Sequence, residues 1–100
     1  MKAAVYQGQG RVTLDERPVP VPGRDELLIR VHAASICGTD LKIIRGGHFR
    51  VGPDDTRVLG HELAGEIVEV GADVSRWRVG QRVSVVPNIG CGACAMCRKG

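Results

Sequence analysis

Six side chains carry most of the chemistry open to this chain. Cys37 and His61 offer a thiolate and an imidazole, both good donors to a borderline-soft cation such as Zn²⁺, and the Glu62 carboxylate stands beside them. A catalytic zinc takes three protein ligands and keeps one position open for a substrate oxygen. Singly, each residue has a plainer reading: a lone cysteine is most often a small buried hydrophobe, and a lone histidine a structural or surface group. Cys91, Cys94 and Cys97 form a separate C-x-x-C-x-x-C run. In a reducing cytoplasm clustered thiols bind metal more often than they form disulfides, yet three thiolates do not close a tetrahedral site. A fourth ligand then comes from elsewhere in the chain or from beyond Gly100. A redox C-x-x-C would need a βαβ unit around it, and a zinc finger a downstream His or Cys pair; neither pattern is present.

The elements that must position these groups are mainly extended. Lys2 to Gln7 reads as a strand and Arg11 to Glu16 as its return, with Gly8 and Gly10 in the turn. Pro18, Pro20 and Pro22 interrupt the chain, and Pro22-Gly23 marks a turn. Glu26 to Ser35 alternates, placing Leu27, Ile29 and Val31 on one face; its His32 reads as packing or surface. Thr39 to Arg45 suits a turn or two of helix ended by Gly46-Gly47, and His48 to Thr56 a loop before Val58 resumes extended structure. Glu62 to Val70 is the strongest strand, rich in β-branched residues, with Gly65 marking a bulge or a close backbone approach. Turns at Gly71-Ala72-Asp73 and Val79-Gly80-Gln81 lead to a last strand over Arg82 to Pro87. Trp77 reads as a core or turn anchor, and Asn88 to Gly100 as a metal loop with little structure of its own. Short strands at regular spacing predict a small all-β barrel or sandwich.

Composition excludes several other roles. With 100 residues, 43% apolar, the chain makes at most one modest domain, and with only 3% aromatic residues its core rests on Val, Ile, Leu and Ala. The net charge of +3 comes from scattered Lys and Arg interleaved with acids, so neither nucleic acid nor a membrane surface is an expected partner. No apolar run approaches the roughly 20 residues that span a bilayer, and the N-terminus does not read as a signal peptide. The expected compartment is the cytoplasm.

The residues around His61 narrow the function. Gly60, His61, Glu62, Gly65, Gly71 and Val74 resemble the zinc signature of the medium-chain, zinc-dependent alcohol dehydrogenase family. Cys37-Gly38-Thr39-Asp40 resembles that family's first zinc-ligand segment, and Cys91, Cys94 and Cys97 the first three ligands of its structural zinc lobe. The resemblance spans essentially the whole chain. It implies a mainly β fold, a partial GroES-like barrel, with residues 89–100 beginning the structural zinc lobe and the Rossmann domain lying beyond Gly100. It further implies that Cys37 and His61 are catalytic zinc ligands, with Glu62 a nearby carboxylate or an alternate ligand during exchange. Asp40 would accept a hydrogen bond from the other nitrogen of His61, and Thr39 would bond the substrate hydroxyl and begin a proton relay. The implied activity is hydride transfer from a polyol, a threonine-like substrate or another secondary alcohol to NAD or NADP held by the other domain. The 100 residues alone would be inactive, and the full-length protein a dimer or tetramer.

Two positions depart from the commonest family pattern. Gly38 has no side chain where primary-alcohol members often carry Arg or His, which makes the chain more similar to the polyol and threonine dehydrogenases. Lys42 stands where many members end the relay with a histidine. A lysine of ordinary pKa near 10.4 is charged at neutral pH, so Lys42 is either a surface charge, the favoured reading, or has a depressed pKa. His48 reads as an ordinary loop histidine, with a place in the substrate cleft as the alternative. Nothing here resembles a dinucleotide-binding glycine motif; Gly8-Gln9-Gly10 is a hairpin turn. A GroES-like zinc-binding or co-chaperone module without catalysis is the alternative function, and it would need neither Cys37 nor Gly60-His61-Glu62. A zinc-free quinone reductase relative should lack both zinc motifs.

Overall fold

The structure, a computed structural model, describes residues 1–46 and 48–100. Two three-stranded antiparallel sheets form its body. In the first, β1 (Lys2–Tyr6) lies between β2 (Val12–Glu16) and the two-residue β4 (Arg57–Val58). The β1–β2 turn closes with Gln7 N–H donating to the Arg11 carbonyl at 2.8 Å. Gly8, Gln9 and Gly10 all take positive φ there, which two glycines adopt without strain and Gln9 must tolerate. A Cβ on Gly8 would also collide with the Pro53 carbonyl, and Gln9 N–H donates to that same oxygen at 2.7 Å. The turn therefore clasps the 52–55 loop.

In the second sheet β5 (Glu62–Val70) is central, between β3 (Leu27–Ser35) and β6 (Arg82–Val85). The β5 bounds coincide with those its β-branched run predicts. The β3–β5 register shifts twice, leaving Val68 and then His32 without a cross-strand partner. His32 is thus the extra residue of a bulge, exposed to solvent, and not a packing residue. Directly beside it Gly65 faces the Arg30 carbonyl so closely that any Cβ would strike it. The alternating burial expected of β3 is absent: Leu27, Leu28 and Ile29 are all half-buried, and Val31 is 51% exposed. Among the described residues no second layer covers that end of the strand.

The core is small. Tyr6, Ile43 and Val51 form its buried cluster, with Ile44 and Leu59 packed against it; Val5 and Ile67 are also fully buried. Each such side chain contributes about 1.5–3 kcal/mol. This cluster joins β1 to α1 (Gly38–Ile44) and to the loop after it. Gly46, at φ +75, ends α1 as predicted, while Gly47 lies outside the described residues. Two expectations need correction. Of the two readings of Trp77 the core one fails, since the side chain is 43% exposed and outside the buried cluster. Residues after Pro87 are not all irregular: Ala95–Lys99 form α2, because Ala, Met, Arg and Lys favour helix and Cys94 sits extended at its start. Among the described residues no helix is long and apolar enough to cross a membrane.

Candidate metal centres and substrate cleft

The last rung of the β3–β5 ladder builds the first cluster. Ser35 pairs with Glu62, so the chain leaving β3 and the chain entering β5 meet at one end of the sheet. Cys37 follows Ser35 by two residues and His61 directly precedes Glu62, which brings a thiol, an imidazole and a carboxylate together. Their ligand atoms all lie within 4.8 Å of one another. Ser35 Oγ donates to Glu62 Oε2 at 2.6 Å. That bond, followed by contact with Cys37 and the positive field of His61, holds the Glu62 carboxyl below its ordinary pKa.

Behind the cluster sits Asp40, only 6% exposed. Its Oδ2 accepts the Cys37 N–H at 2.9 Å, a capping bond that fixes the start of α1. Its Oδ1 stands 3.5 Å from His61 Nδ1 and has no hydrogen-bond partner of its own. An orphaned buried carboxylate oxygen aimed at an imidazole favours the proton on Nδ1 and leaves Nε2 free to bind a cation. The donor set of sulfur, nitrogen and carboxylate oxygen suits Zn²⁺, so these residues fit that ion. Thr39 Oγ1 lies 3.7 Å from Cys37 Sγ.

All of these groups except Ser35 line one cleft of about 570 Å³. Ile43, Val51, Val58, Leu59 and Pro87 give it apolar walls, while His48, Arg57 and Asn88 add polar groups. His48 therefore belongs to the cleft, and its ring stacks on Phe49 with centroids 5.1 Å apart. Lys42 is exposed on α1 and does not line the cleft, which fits a surface charge. Arg57 and Asn88 carried no signal in the sequence, since β1–β4 pairing and the path after β6 bring them in from distant positions.

The three remaining cysteines gather at the other cluster. Cys97 Sγ lies 3.5 Å from Cys94 Sγ and 3.8 Å from Cys91 Sγ, and no disulfide joins the three. Cys94 N–H donates to Cys91 Sγ at 3.3 Å. Backbone N–H groups of Ala93 and Cys94 lower the Cys91 pKa to about 7, and those around Cys97 lower that of Cys94. A loop whose amides point at thiolate sulfur is prepared for a soft cation. Gly90 permits the close approach of the Cys97 sulfur, because a Cβ there would come within 2.9 Å of Cys97 Sγ.

Comparison with known proteins agrees with this layout. The sorbitol dehydrogenase of Bacillus subtilis is 43% identical over 100% of the chain and 29% of its own length. The L-threonine 3-dehydrogenase of Pyrococcus abyssi is 49% identical over 100% of the chain and 28% of its own. A solved protein described as a short chain alcohol dehydrogenase, from Escherichia coli CFT073 and complexed with NADH, superposes with a TM-score of 0.84 at 37% identity, over 99% of the chain and 28% of its own. The chain thus spans less than a third of the relatives it matches. Residues 23–100, which hold both clusters and the whole β3–β5–β6 sheet, match the alcohol dehydrogenase GroES-like domain. With that match added to a mainly β fold and the Cys37–His61–Glu62 grouping, the chain belongs to the alcohol dehydrogenase GroES-like domain family.

Proposed function

We propose that this chain is the N-terminal part of the catalytic domain of a zinc-dependent dehydrogenase. Its reaction is oxidation of a secondary alcohol, a polyol or a threonine-like compound, with NAD or NADP as acceptor. Residues 1–100 supply the barrel portion and 89–100 begin the structural zinc lobe, while the cofactor-binding domain belongs to the rest of the protein. The observation that carries the reading is the meeting of Cys37, His61 and Glu62 within 4.8 Å in front of a buried Asp40. A purely scaffolding module has no use for such a pocket. The names of the relatives, sorbitol and L-threonine dehydrogenases, support the substrate class.

Cys37, His61 and Glu62 would hold a catalytic zinc, and Cys91, Cys94 and Cys97 a structural one. When bound, the catalytic ion supplies Lewis-acid polarisation of the alcohol oxygen, and the nicotinamide the hydride acceptor. The protein's own residues do the rest. Asp40 keeps the His61 proton on Nδ1. Thr39, beside Cys37 on the cleft wall, accepts the proton leaving the substrate hydroxyl and passes it toward solvent. The exposed Lys42 takes no part, so water completes the relay. Ile43, Val51 and Leu59 keep bulk water from one side of the cleft. Free thiols in two metal clusters fit a reducing compartment, the cytoplasm, and the complete protein is expected to be a dimer or tetramer.

Metal analysis of the zinc-supplemented protein tests this reading. Cys37→Ser or His61→Ala should each remove one zinc and leave the one at the cysteine cluster. In the complete enzyme Thr39→Ala should lower kcat by about 10²–10⁴. A protein that binds no zinc through Cys37 and His61 sinks the proposal.

A further inference from the structure

Arg57 is the cleft residue for which the metal chemistry has no use. It lines the same 570 Å³ space as Cys37 and His61, at the edge formed by β4. The carboxylates of the cleft and of the 52–55 loop are hydrogen-bonded to other groups. Asp40 is held by the Cys37 N–H and faces His61. Glu62 accepts from Ser35 at 2.6 Å. Asp54 accepts from Gln9 Nε2 at 3.4 Å, and Asp55 from the Gly52 N–H at 2.8 Å. Among the described residues no carboxylate oxygen comes within 4.0 Å of a nitrogen of the Arg57 guanidinium.

A guanidinium left without a counter-ion on a residue that lines a cleft is a receptor for a planar or tetrahedral anion, which it binds through paired charge-assisted hydrogen bonds. Its cleft neighbours Val51, Val58 and Leu59 are apolar and bring it no counter-charge. His48 and Asn88 in the same cleft offer neutral polar groups suited to hydroxyls. Resting on the dehydrogenase reading of this cleft, we infer that Arg57 selects substrates bearing an anionic end group, a carboxylate or a phosphate, remote from the hydroxyl that reacts.

The test uses the zinc-supplemented chain and three probes: D-gluconate, D-sorbitol of the same carbon number, and NADH as a source of cofactor phosphate. Binding is followed by ¹⁵N NMR at about 20 mM and about 200 mM salt. Gluconate should bind about ten-fold more tightly than sorbitol at low salt, with the preference shrinking at high salt. Arg57→Gln should abolish the preference, and Arg57→Lys should keep part of it. Arg57 is exposed, and an unchanged spectrum elsewhere establishes that the variants fold. Equal affinity for gluconate and sorbitol, binding of neither, or a preference that survives Arg57→Gln overturns the inference. So does an Arg57-dependent affinity for NADH without a gluconate preference, which would give the guanidinium to the cofactor. Zinc content measured on the same samples reports separately on the metal reading.

Discussion

Asp40→Asn probes the cleft at a single atom. Native Asp40 accepts the Cys37 N–H at 2.9 Å with Oδ2 and presents Oδ1 to His61 Nδ1 at 3.5 Å. Asparagine can keep the first bond through its carbonyl oxygen, which turns its amide NH₂ toward the imidazole. Two donors then face each other, so the ring proton is driven from Nδ1 to Nε2, the nitrogen a metal needs. Losing an orienting partner of this kind weakens metal binding about 10–100-fold, equivalent to about 1.4–2.8 kcal/mol. Asp40→Ala loses the capping bond as well, a further 0.5–1.5 kcal/mol or so of fold stability. The assay is a competition titration against a chromophoric zinc chelator, in a background with Cys91, Cys94 and Cys97 changed to Ser so that only the cleft reports. The expected result is weaker zinc binding in Asp40→Asn with an unchanged circular dichroism spectrum, and both defects in Asp40→Ala. Full zinc affinity in Asp40→Asn, alongside its loss in Cys37→Ser, refutes the reasoning.

Three further outcomes are expected. Gly65→Ala pushes a methyl group into the Arg30 carbonyl and should cost roughly 1–3 kcal/mol; thermal unfolding should show a Tm fall of about 4–8 °C per kcal/mol, and an unchanged Tm contradicts the close approach. Gly8→Ala meets both a φ of +82° and the Pro53 carbonyl, so limited proteolysis should accelerate within residues 48–56 before elsewhere. In chelator-treated protein Cys91, with its pKa lowered to about 7, gains thiolate as pH rises through 7. Its alkylation rate should therefore climb with a midpoint near 7, against about 8.5 for an unperturbed thiol in the unfolded protein; a midpoint at the unperturbed value argues against amides aimed at the sulfur.

Much of this arrangement was legible residue by residue. The Glu62 to Val70 run declared its strand because β-branched side chains and flanking turns agree, and Gly8 and Gly10 marked their turn because both need positive φ. What escaped was set by contacts distant in sequence. Gly65 marked a bulge or close approach from β5 alone, but that the extra residue is His32, on β3, is a fact about pairing that neither strand shows by itself. Arg57 and Asn88 reach the cleft through strand pairing and chain path, with no motif of their own. Helix α2 was hidden because its helix-forming residues are interleaved with cysteines whose spacing reads as a metal loop. Trp77, the one tryptophan, invited a core role that the surrounding turn does not provide.

The division into two sheets has a consequence for how such a protein can diverge. Cys37, His61 and Glu62 ride on the β3–β5 ladder, whereas His48, Val51 and Arg57 hang from the α1–β4 connection, which the first sheet and the clasp between Gly8 and Pro53 secure. Among the described residues no strand of one sheet pairs with a strand of the other. Substitutions in the first sheet or its clasp accordingly bear most directly on the His48, Val51 and Arg57 wall of the cleft, and they reach Cys37 and Asp40 only through the packing of Tyr6 on Ile43 of α1.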